Sequence, residues 1–254
     1  MQLEGLTTLV TGASRGIGRA TALAYAREGA DVIVHCGRAR AEADAVADEV
    51  RALGRRAEVV QADVAEEADV ARLAEAVGAF CGERGLDVLL NNAGIYPAAS
   101  IDEVEVAEFD RMMAVNVRGP FLVTRALLPL LRQAAGRTGR ARVISISSVI
   151  PYLGLPGFFA YATSKAALSG FTHALAYELG PEGITANNVV PSMVATDHVN
   201  ESFDGWEEPI VATQAVKRPQ QPEDLTGSLV FLASAASDWV TGQTIVAAGG
   251  RVLT

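Results

Sequence analysis

The stretch LVTGASRGIGRA, residues 9–20, decides the fold. An apolar, strand-like segment at residues 6–10 runs into a turn that carries Gly12, Gly16 and Gly18, and a helical pattern begins there. A glycine-rich turn between a strand and the N-terminus of a helix is a common binding site for the pyrophosphate of a dinucleotide. The spacing G-x-x-x-G-x-G differs from the standard G-x-G-x-x-G fingerprint, so this interpretation needs support from the rest of the chain.

The same turn also satisfies G-x-S-x-G, the nucleophile elbow of serine hydrolases, with Ser14 as the nucleophile. That chemistry requires an acid and a histidine later in the chain. His35 lies in a predicted strand and His173 in a predicted amphipathic helix, which leaves His198 as the candidate base. Because no second feature supports His198, we favour a phosphate cradle over a nucleophile elbow.

Strand-like and helical segments alternate regularly along the chain, with short connections between them. This alternation predicts parallel βαβ units, and hence a doubly wound α/β Rossmann fold with about seven parallel strands and helices on both faces. No proline- or serine-rich linker divides the chain, so we expect a single domain spanning residues 1–254. Further strands are expected at residues 31–36, 57–64, 86–94, 141–148, 183–190 and 242–250.

Two segments are less regular than the rest. A helical stretch covers roughly residues 104–133, with Pro120 and Pro129 as possible breaks. Residues 191–221 form one long irregular segment, and a loop of that length in a compact domain is often a lid. Ligands of such sheets bind at the carboxyl ends of the strands, so the residues at those ends carry the functional interpretation.

Composition and charge narrow the possible partners. A net charge of −9 argues against nucleic acid, because binding a phosphate backbone requires a basic surface. Cys36 and Cys81 show no C-x-x-C spacing, so we expect no disulfide framework and no metal site. We see no signal peptide and no apolar run long enough to span a membrane, and therefore expect a cytoplasmic protein without a membrane partner.

A second group of residues suggests acid–base chemistry. Tyr161 and Lys165 are spaced i, i+4 on a predicted helix, and Ser148 ends the preceding strand. An isolated tyrosine has a pKa of about 10, which a nearby ammonium group lowers. Lys165 is one of only two lysines among 21 basic residues. Taken alone, however, Y-x-x-x-K also describes a core tyrosine beside a lysine whose stem packs on apolar surface.

Taken together, these features resemble the short-chain dehydrogenase/reductase family over nearly the whole chain. The chain departs from the family pattern at Ser192, where many members have glycine, and at Ala248, where an aspartate is common. The matching motifs are TGASRGIG at 11–18, NNAG at 91–94, VNVRGPF at 115–121, SSVIPYLGLPGFFAYATSK at 147–165 and NNVVPSMVATD at 187–197.

The resemblance implies an NAD(P)-dependent oxidoreductase that transfers a hydride between a nicotinamide cofactor and a carbonyl or secondary alcohol. In that pattern Tyr161 is the proton donor in reduction, and Ser148 donates a hydrogen bond to the substrate oxygen. Lys165 lowers the pKa of Tyr161 and binds the nicotinamide ribose. Asn116 holds a water molecule that links Lys165 to solvent.

The end of the second predicted strand indicates which cofactor binds. An NAD site places a carboxylate there to bind the ribose hydroxyls, whereas this chain has Cys36, Gly37 and Arg38. Arg38, assisted by Arg15, could bind a 2′-phosphate, so we expect NADP(H) in preference to NAD(H). With the residues implied by the resemblance, the expected cofactor contacts are Gly12, Ser14, Arg15, Gly16, Ile17, Gly18, Arg38, Asp63, Val64, Asn92, Ala93, Gly94, Tyr161, Lys165, Pro191, Val194 and Thr196.

The expected substrate is a small carbonyl compound or alcohol, and the apolar character of the site favours a ketone with a hydrophobic part. Alternatives are a 3-oxoacyl-carrier-protein-type reductase, a sugar or steroid dehydrogenase, and a non-catalytic NADP(H)-binding sensor. The resemblance also implies a homo-oligomer, either a tetramer or a dimer. The expected substrate contacts are Ile95, Tyr96, Ser148, Tyr152, Phe158, Met193 and Trp206, with Pro151, Phe159 and the lid residue Phe203 as further candidates.

Overall fold

A computed structural model describes residues 1–196, 199 and 205–252. Seven parallel strands form one sheet in the order β3-β2-β1-β4-β5-β6-β7, which confirms the predicted doubly wound fold. The strand order reverses between β1 and β4, and ligands of open α/β sheets bind at such a switch point. The strands are β1 (Thr7–Val10), β2 (Asp31–Cys36), β3 (Ala57–Gln61), β4 (Val88–Asn91), β5 (Ala141–Ile146), β6 (Ile184–Pro191) and β7 (Thr244–Ala247).

Helices cover both faces of the sheet. The described α-helices are α1 (Gly16–Arg27), α2 (Arg40–Ala52), α3 (Glu67–Cys81), α4 (Val106–Met113), α5 (Gly119–Thr138), α6 (Ile150–Leu153), α7 (Phe159–Leu179), α8 (Glu207–Thr213) and α9 (Thr226–Ala233). One core cluster packs α1, α2 and α9 against the sheet, and the other packs α3, α5 and α7. Among the described helices, none is both long and apolar enough to cross a bilayer.

Successive strand residues supply the two cores in turn. In β2, Val32 and Val34 belong to the first cluster, whereas Ile33 belongs to the second. In β1, Val10 belongs to the first cluster and Leu9 to the second. A parallel sheet covered on both faces requires such continuous apolar strands, which is why these segments read as unbroken hydrophobic runs.

The predicted helical stretch at residues 104–133 has different bounds in the structure. A π-helical turn, Ala114–Arg118, separates α4 from α5, and α5 continues to Thr138. Pro120 lies in the first turn of α5, where its missing N–H costs little. Pro129 lies inside the helix without ending it, so the break expected there was wrong; burial of Leu127 and Leu131 offsets its cost.

The segment of residues 191–221 is not irregular throughout, because α8 (Glu207–Thr213) lies within it. His198 and Phe203 lie outside the described residues. Cys36 and Cys81 are buried free cysteines.

The turn after β1 depends on its glycines. Gly12 and Gly16 have φ angles of +64° and +55°, which glycine adopts without strain. A Cβ atom on Gly18 would clash with the Gly12 carbonyl oxygen and lie 2.9 Å from the Ala13 Cα. The Asn92 amide donates to the Gly12 carbonyl at 3.0 Å, so the end of β4 holds the turn in place.

His35 is a structural residue. Its Nδ1 accepts a hydrogen bond from the Gly12 N–H at 3.1 Å, and its Nε2 lies 3.0 Å from the Ala62 carbonyl. Burial lowers the pKa of His35 to about 4, so the ring is neutral and joins the ends of β1, β2 and β3. It is not placed to activate Ser14 as a nucleophile.

A Gly18→Ala substitution should destabilise the protein by about 1–3 kcal/mol, because the added methyl group has no space beside Gly12. The matched control is Gly136→Ala in α5, where a Cβ meets nothing within 4 Å. That change should stabilise the protein by about 0.5–1 kcal/mol, since alanine favours a helix over glycine. Urea unfolding measures both free energies, and equal effects would contradict this account of the turn.

Candidate active site

The structure brings the four predicted catalytic residues together at the carboxyl ends of β4 and β5. Ser148 follows β5, Tyr161 and Lys165 lie in the first two turns of α7, and Asn116 lies in the π-helical turn. The Ser148 and Tyr161 hydroxyls share a hydrogen bond, and Lys165 Nζ lies 5.8 Å from the centroid of the Tyr161 ring. The four residues therefore form one constellation, although they come from three parts of the chain.

Lys165 is a buried cation. Its side chain is only 5% exposed, and its Nζ donates to the Ile146 carbonyl at 2.8 Å. The Ser147 hydroxyl donates to the Lys165 carbonyl at 2.9 Å and fixes this part of α7 to the end of β5. Burial lowers the pKa of Lys165 to about 8, so the ammonium group is still charged at neutral pH.

The pKa of Tyr161 departs from the sequence expectation. Burial raises it to about 12, and the hydrogen bond with Ser148 is what lowers it. The expected lowering by Lys165 does not occur, because the lysine, with a pKa of about 8, is already uncharged where this phenol ionises. At neutral pH Tyr161 is a neutral phenol, which is the form that can donate a proton.

Asn116 is held by three hydrogen bonds. Its Oδ1 accepts from the Ile95 N–H at 2.9 Å, and its Nδ2 donates to the Ile95 carbonyl at 2.8 Å and to the Ser164 hydroxyl at 3.0 Å. A Cβ atom on Gly94 would lie 3.2 Å from Asn116 Oδ1 and 3.4 Å from Lys165 Nζ. Asn116 and Lys165 thus border one small space over Gly94, and π-helical turns are frequent at such functional positions.

The N-terminus of α1 fits an anionic group. Its N-cap is the exposed Arg15, no side chain caps the first turn, and that turn contains no acidic residue. The N–H groups at the start of α1, together with the helix dipole, favour a negative charge in front of them. The residues present therefore fit a pyrophosphate at Ser14–Gly18.

Nearby predicted cofactor contacts have structural roles as well. Asn92 and Ala93 donate their N–H groups to the Thr11 hydroxyl at 2.9 and 3.0 Å. Thr196 lies against the turn after β1, because a Cβ on Gly16 would meet its Cγ2 at 3.0 Å. Pro191 and Val194 are buried at the carboxyl end of the sheet, and Val194 packs in the first core cluster.

The region beyond β2 carries the features predicted for a 2′-phosphate site. Cys36 is buried at the strand end, and Arg38 is exposed beyond it. Asp63 is already engaged, because its carboxylate accepts from the Ala65 N–H at 3.0 Å and from Arg111 at 2.7 Å. Val64 is a core residue whose side chain packs on Gly119, so a ligand contact by Val64 would be made through its main chain.

Two aromatic residues predicted to contact substrate surround Tyr161. The Tyr96 ring lies 6.1 Å from the Tyr161 ring and the Phe158 ring 6.4 Å from it, both edge-on. The Tyr96 hydroxyl also hydrogen-bonds the Thr196 side chain. These contacts give the site an apolar wall beside the phenol.

The remaining predicted substrate contacts are more widely spread. Ile95 packs against the second core cluster, and its main chain holds Asn116. Tyr152 is exposed on α6, Met193 is half-buried after β6, and Trp206 is buried immediately before α8. Gln220, which hydrogen-bonds the segment after β6, was not predicted from the sequence. Its partners are distant along the chain, and no sequence motif contains it.

A family model described as short chain dehydrogenase matches residues 6–206. The chain belongs to the short-chain dehydrogenase/reductase family. It is therefore an oxidoreductase of the type that acts on CH–OH or carbonyl groups with a nicotinamide cofactor.

Relatives of this dehydrogenase/reductase match over nearly its whole length. The 3-oxoacyl-[acyl-carrier-protein] reductase of Synechocystis sp. is 39% identical over 253 residues, covering 99% of this chain and 98% of the relative. The solved angucycline C-6 ketoreductase LanV, with bound NADP, has a TM-score of 0.92 at 33% identity, covering 100% and 98%. A short-chain dehydrogenase from Burkholderia cenocepacia in complex with NADP has a TM-score of 0.89 at 34% identity, covering 99% of each chain.

Tyr161 should stay protonated well above pH 10 in the ligand-free enzyme, because burial raises its pKa to about 12. Ultraviolet difference titration of the native enzyme and of Tyr161→Phe measures this directly. The two titration curves should coincide through the range in which ordinary tyrosines begin to ionise, about pH 10. A phenolate signal near neutral pH that Tyr161→Phe abolishes would contradict the assignment.

Proposed function

We propose that this dehydrogenase/reductase reduces a ketone with a hydrophobic part to a secondary alcohol, using NADP(H). The observation that carries the proposal is the half-buried Tyr161, whose hydroxyl is hydrogen-bonded to Ser148 and whose ring centroid lies 5.8 Å from Lys165 Nζ. A neutral phenol, a second hydroxyl and a fixed cation are what protonation of a developing alkoxide requires.

The bound cofactor supplies the hydride. Ser148 donates a hydrogen bond to the substrate oxygen, and Tyr161 transfers its phenolic proton to the same oxygen as negative charge develops there. Lys165 stabilises the resulting phenolate, since an ammonium group with a pKa of about 8 is charged at neutral pH. Asn116 and Lys165 border the space over Gly94, where a water molecule could return a proton to Tyr161.

Three observations support NADP(H) as the cofactor. No carboxylate stands at Cys36, where an NAD site would place one. The exposed Arg38 and Arg15 offer guanidinium groups for a 2′-phosphate. Two similar structures, LanV and the Burkholderia cenocepacia enzyme, hold NADP.

The apolar walls support a ketone with a hydrophobic or aromatic part, since Tyr96 and Phe158 present ring surface beside the phenol. The second candidate is a 3-oxoacyl-[acyl-carrier-protein] reductase, which the Synechocystis relative favours. An acidic carrier protein would bind to a basic surface, which requires unpaired basic side chains near the site.

The basic cluster of the chain does not supply such a surface. Arg137 pairs with Asp87 at 2.7 Å, and Arg140 and Arg142 both pair with Asp238. These arginines lie at the end of α5 and the start of β5, opposite the edge of the sheet that carries Ser148. We therefore place the small-molecule ketone first. The single domain of residues 1–254, the tetramer or dimer and the cytoplasmic location stay predictions.

Tyr161→Phe should abolish ketone reduction while NADPH still binds, because the ring remains and only the proton donor is lost. The matched control is Tyr177→Phe on the same helix, where the tyrosine is 88% exposed and turnover should be unchanged. Steady-state rates over a panel of ketones, with NADPH binding by fluorescence, measure both effects. Near-normal turnover by Tyr161→Phe would refute the mechanism, and a native enzyme that binds NADPH but reduces no ketone would favour a sensor.

Arg38→Ala should lower kcat/KM for NADPH roughly 10- to 100-fold and leave the value for NADH unchanged, because a charge-assisted contact to the 2′-phosphate is lost. Arg40→Ala is the matched control: Arg40 is also exposed, but it pairs with Asp44 at 3.0 Å. It should not alter the cofactor preference. Equal losses with both cofactors, or a native preference for NADH, would overturn the NADP(H) assignment.

A further inference from the structure

Ser192 carries a buried hydroxyl with no hydrogen-bond partner among the residues that the structure describes. The residue is 7% exposed and follows directly on β6. Leaving a hydroxyl buried and unpaired costs stability, so each such group calls for an explanation. Many family members have glycine here and carry no hydroxyl at this place.

Gln220 fixes the backbone around Ser192. Its Oε1 accepts from the Ser192 N–H at 2.8 Å, and its Nε2 donates to the Ala247 carbonyl at 2.6 Å. Its main-chain carbonyl accepts from the Ala195 N–H at 2.8 Å. One residue thus ties the segment after β6 to the carboxyl end of β7 and holds the Ser192 main chain in place.

The position of Ser192 places it between the two halves of the site. Pro191, immediately before it, accepts a hydrogen bond through its carbonyl from Val149 at 3.1 Å, and Val149 follows the catalytic Ser148. Four residues beyond Ser192, Thr196 reaches the cofactor turn at Gly16. The unpaired hydroxyl therefore lies in the segment that connects the substrate side to the cofactor side.

We propose that Ser192 is a ligand-binding residue whose hydroxyl hydrogen-bonds a polar atom of the bound molecules, and that Gln220 is its positioning residue. This inference rests on the proposed function. The ligand atom is an amide or carbonyl group, supplied either by the nicotinamide carboxamide or by a second oxygen of the substrate. The hydroxyl is then unpaired only while no ligand is bound.

The test compares Ser192→Ala with Thr185→Val. Thr185 is a matched control, because its hydroxyl is also buried and unpaired within the described chain, but it lies at the amino end of the same strand. Both changes should raise the melting temperature of the ligand-free enzyme, by about 2 °C or more, since each removes an unsatisfied hydroxyl. Only Ser192→Ala should weaken ligand binding, by about 3- to 10-fold.

Two measurements distinguish the sources of the ligand atom. A raised Kd for NADPH alone, by calorimetry, identifies the carboxamide; an unchanged Kd with a raised ketone KM identifies the substrate. If the native enzyme binds NADPH and reduces ketones, and Ser192→Ala has the same NADPH Kd and the same ketone KM, this inference is wrong. The proposed function would then still stand. A lower melting temperature for ligand-free Ser192→Ala also overturns this inference, because the hydroxyl would then have a structural partner. A native enzyme that binds no NADPH and reduces no ketone defeats both proposals.

Gln220→Ala should produce the same ligand defect as Ser192→Ala, and the double variant should be no worse than either single one, because both changes affect one contact. Gln243→Ala is the control, since Gln243 is exposed and its amide bonds the Thr241 carbonyl at 3.0 Å before β7. It should leave Kd and KM unchanged. Additive losses in the double variant would show that Gln220 does not act through Ser192.

Discussion

The ammonium group of Lys165 lies where water has little access, 2.8 Å from the Ile146 carbonyl, and the rest of the site is arranged around it. A buried cation is costly unless main-chain oxygens replace its hydration, which requires the end of β5 and the start of α7 to keep a fixed separation. The Ser147 hydroxyl maintains that separation by donating to the Lys165 carbonyl. Sheet and helix must therefore pack correctly before the site can exist.

The same constraint governs the neighbouring chain. Gly94 leaves room beside Lys165 that a Cβ atom would fill, and the π-helical turn brings Asn116 to that room. On the other side, the hydroxyl groups of Ser148 and Tyr161 are hydrogen-bonded to each other, which fixes the proposed proton donor relative to the hydroxyl proposed to orient the substrate. Burial favours the neutral forms of both Tyr161 and Lys165. At neutral pH Tyr161 is therefore a protonated phenol, whereas Lys165, with a pKa of about 8, keeps its positive charge.

The regular alternation of segments was enough to predict the sheet, and the Ser148–Tyr161–Lys165 spacing was enough to predict that these three residues lie together. Other features required the folded chain. Pro129 does not end α5, because the burial of Leu127 and Leu131 outweighs the local tendency of proline to end a helix. A prediction from the sequence includes only that local tendency. The pKa of Tyr161 moves opposite to the expectation, since burial is a property of the whole fold. Gln220 acts through residues 25 to 28 positions away, which no local pattern reveals.

The central claim is that this constellation directs hydride transfer to a carbonyl carbon. The most direct measurement uses NADPH that carries deuterium at the transferable position of the nicotinamide, with a ketone that the enzyme consumes, and mass spectrometry of the alcohol. The account predicts one deuterium at the carbinol carbon of the product from the native enzyme and no labelled alcohol from Tyr161→Phe. Oxidation of the cofactor without deuterium at that carbon would contradict it.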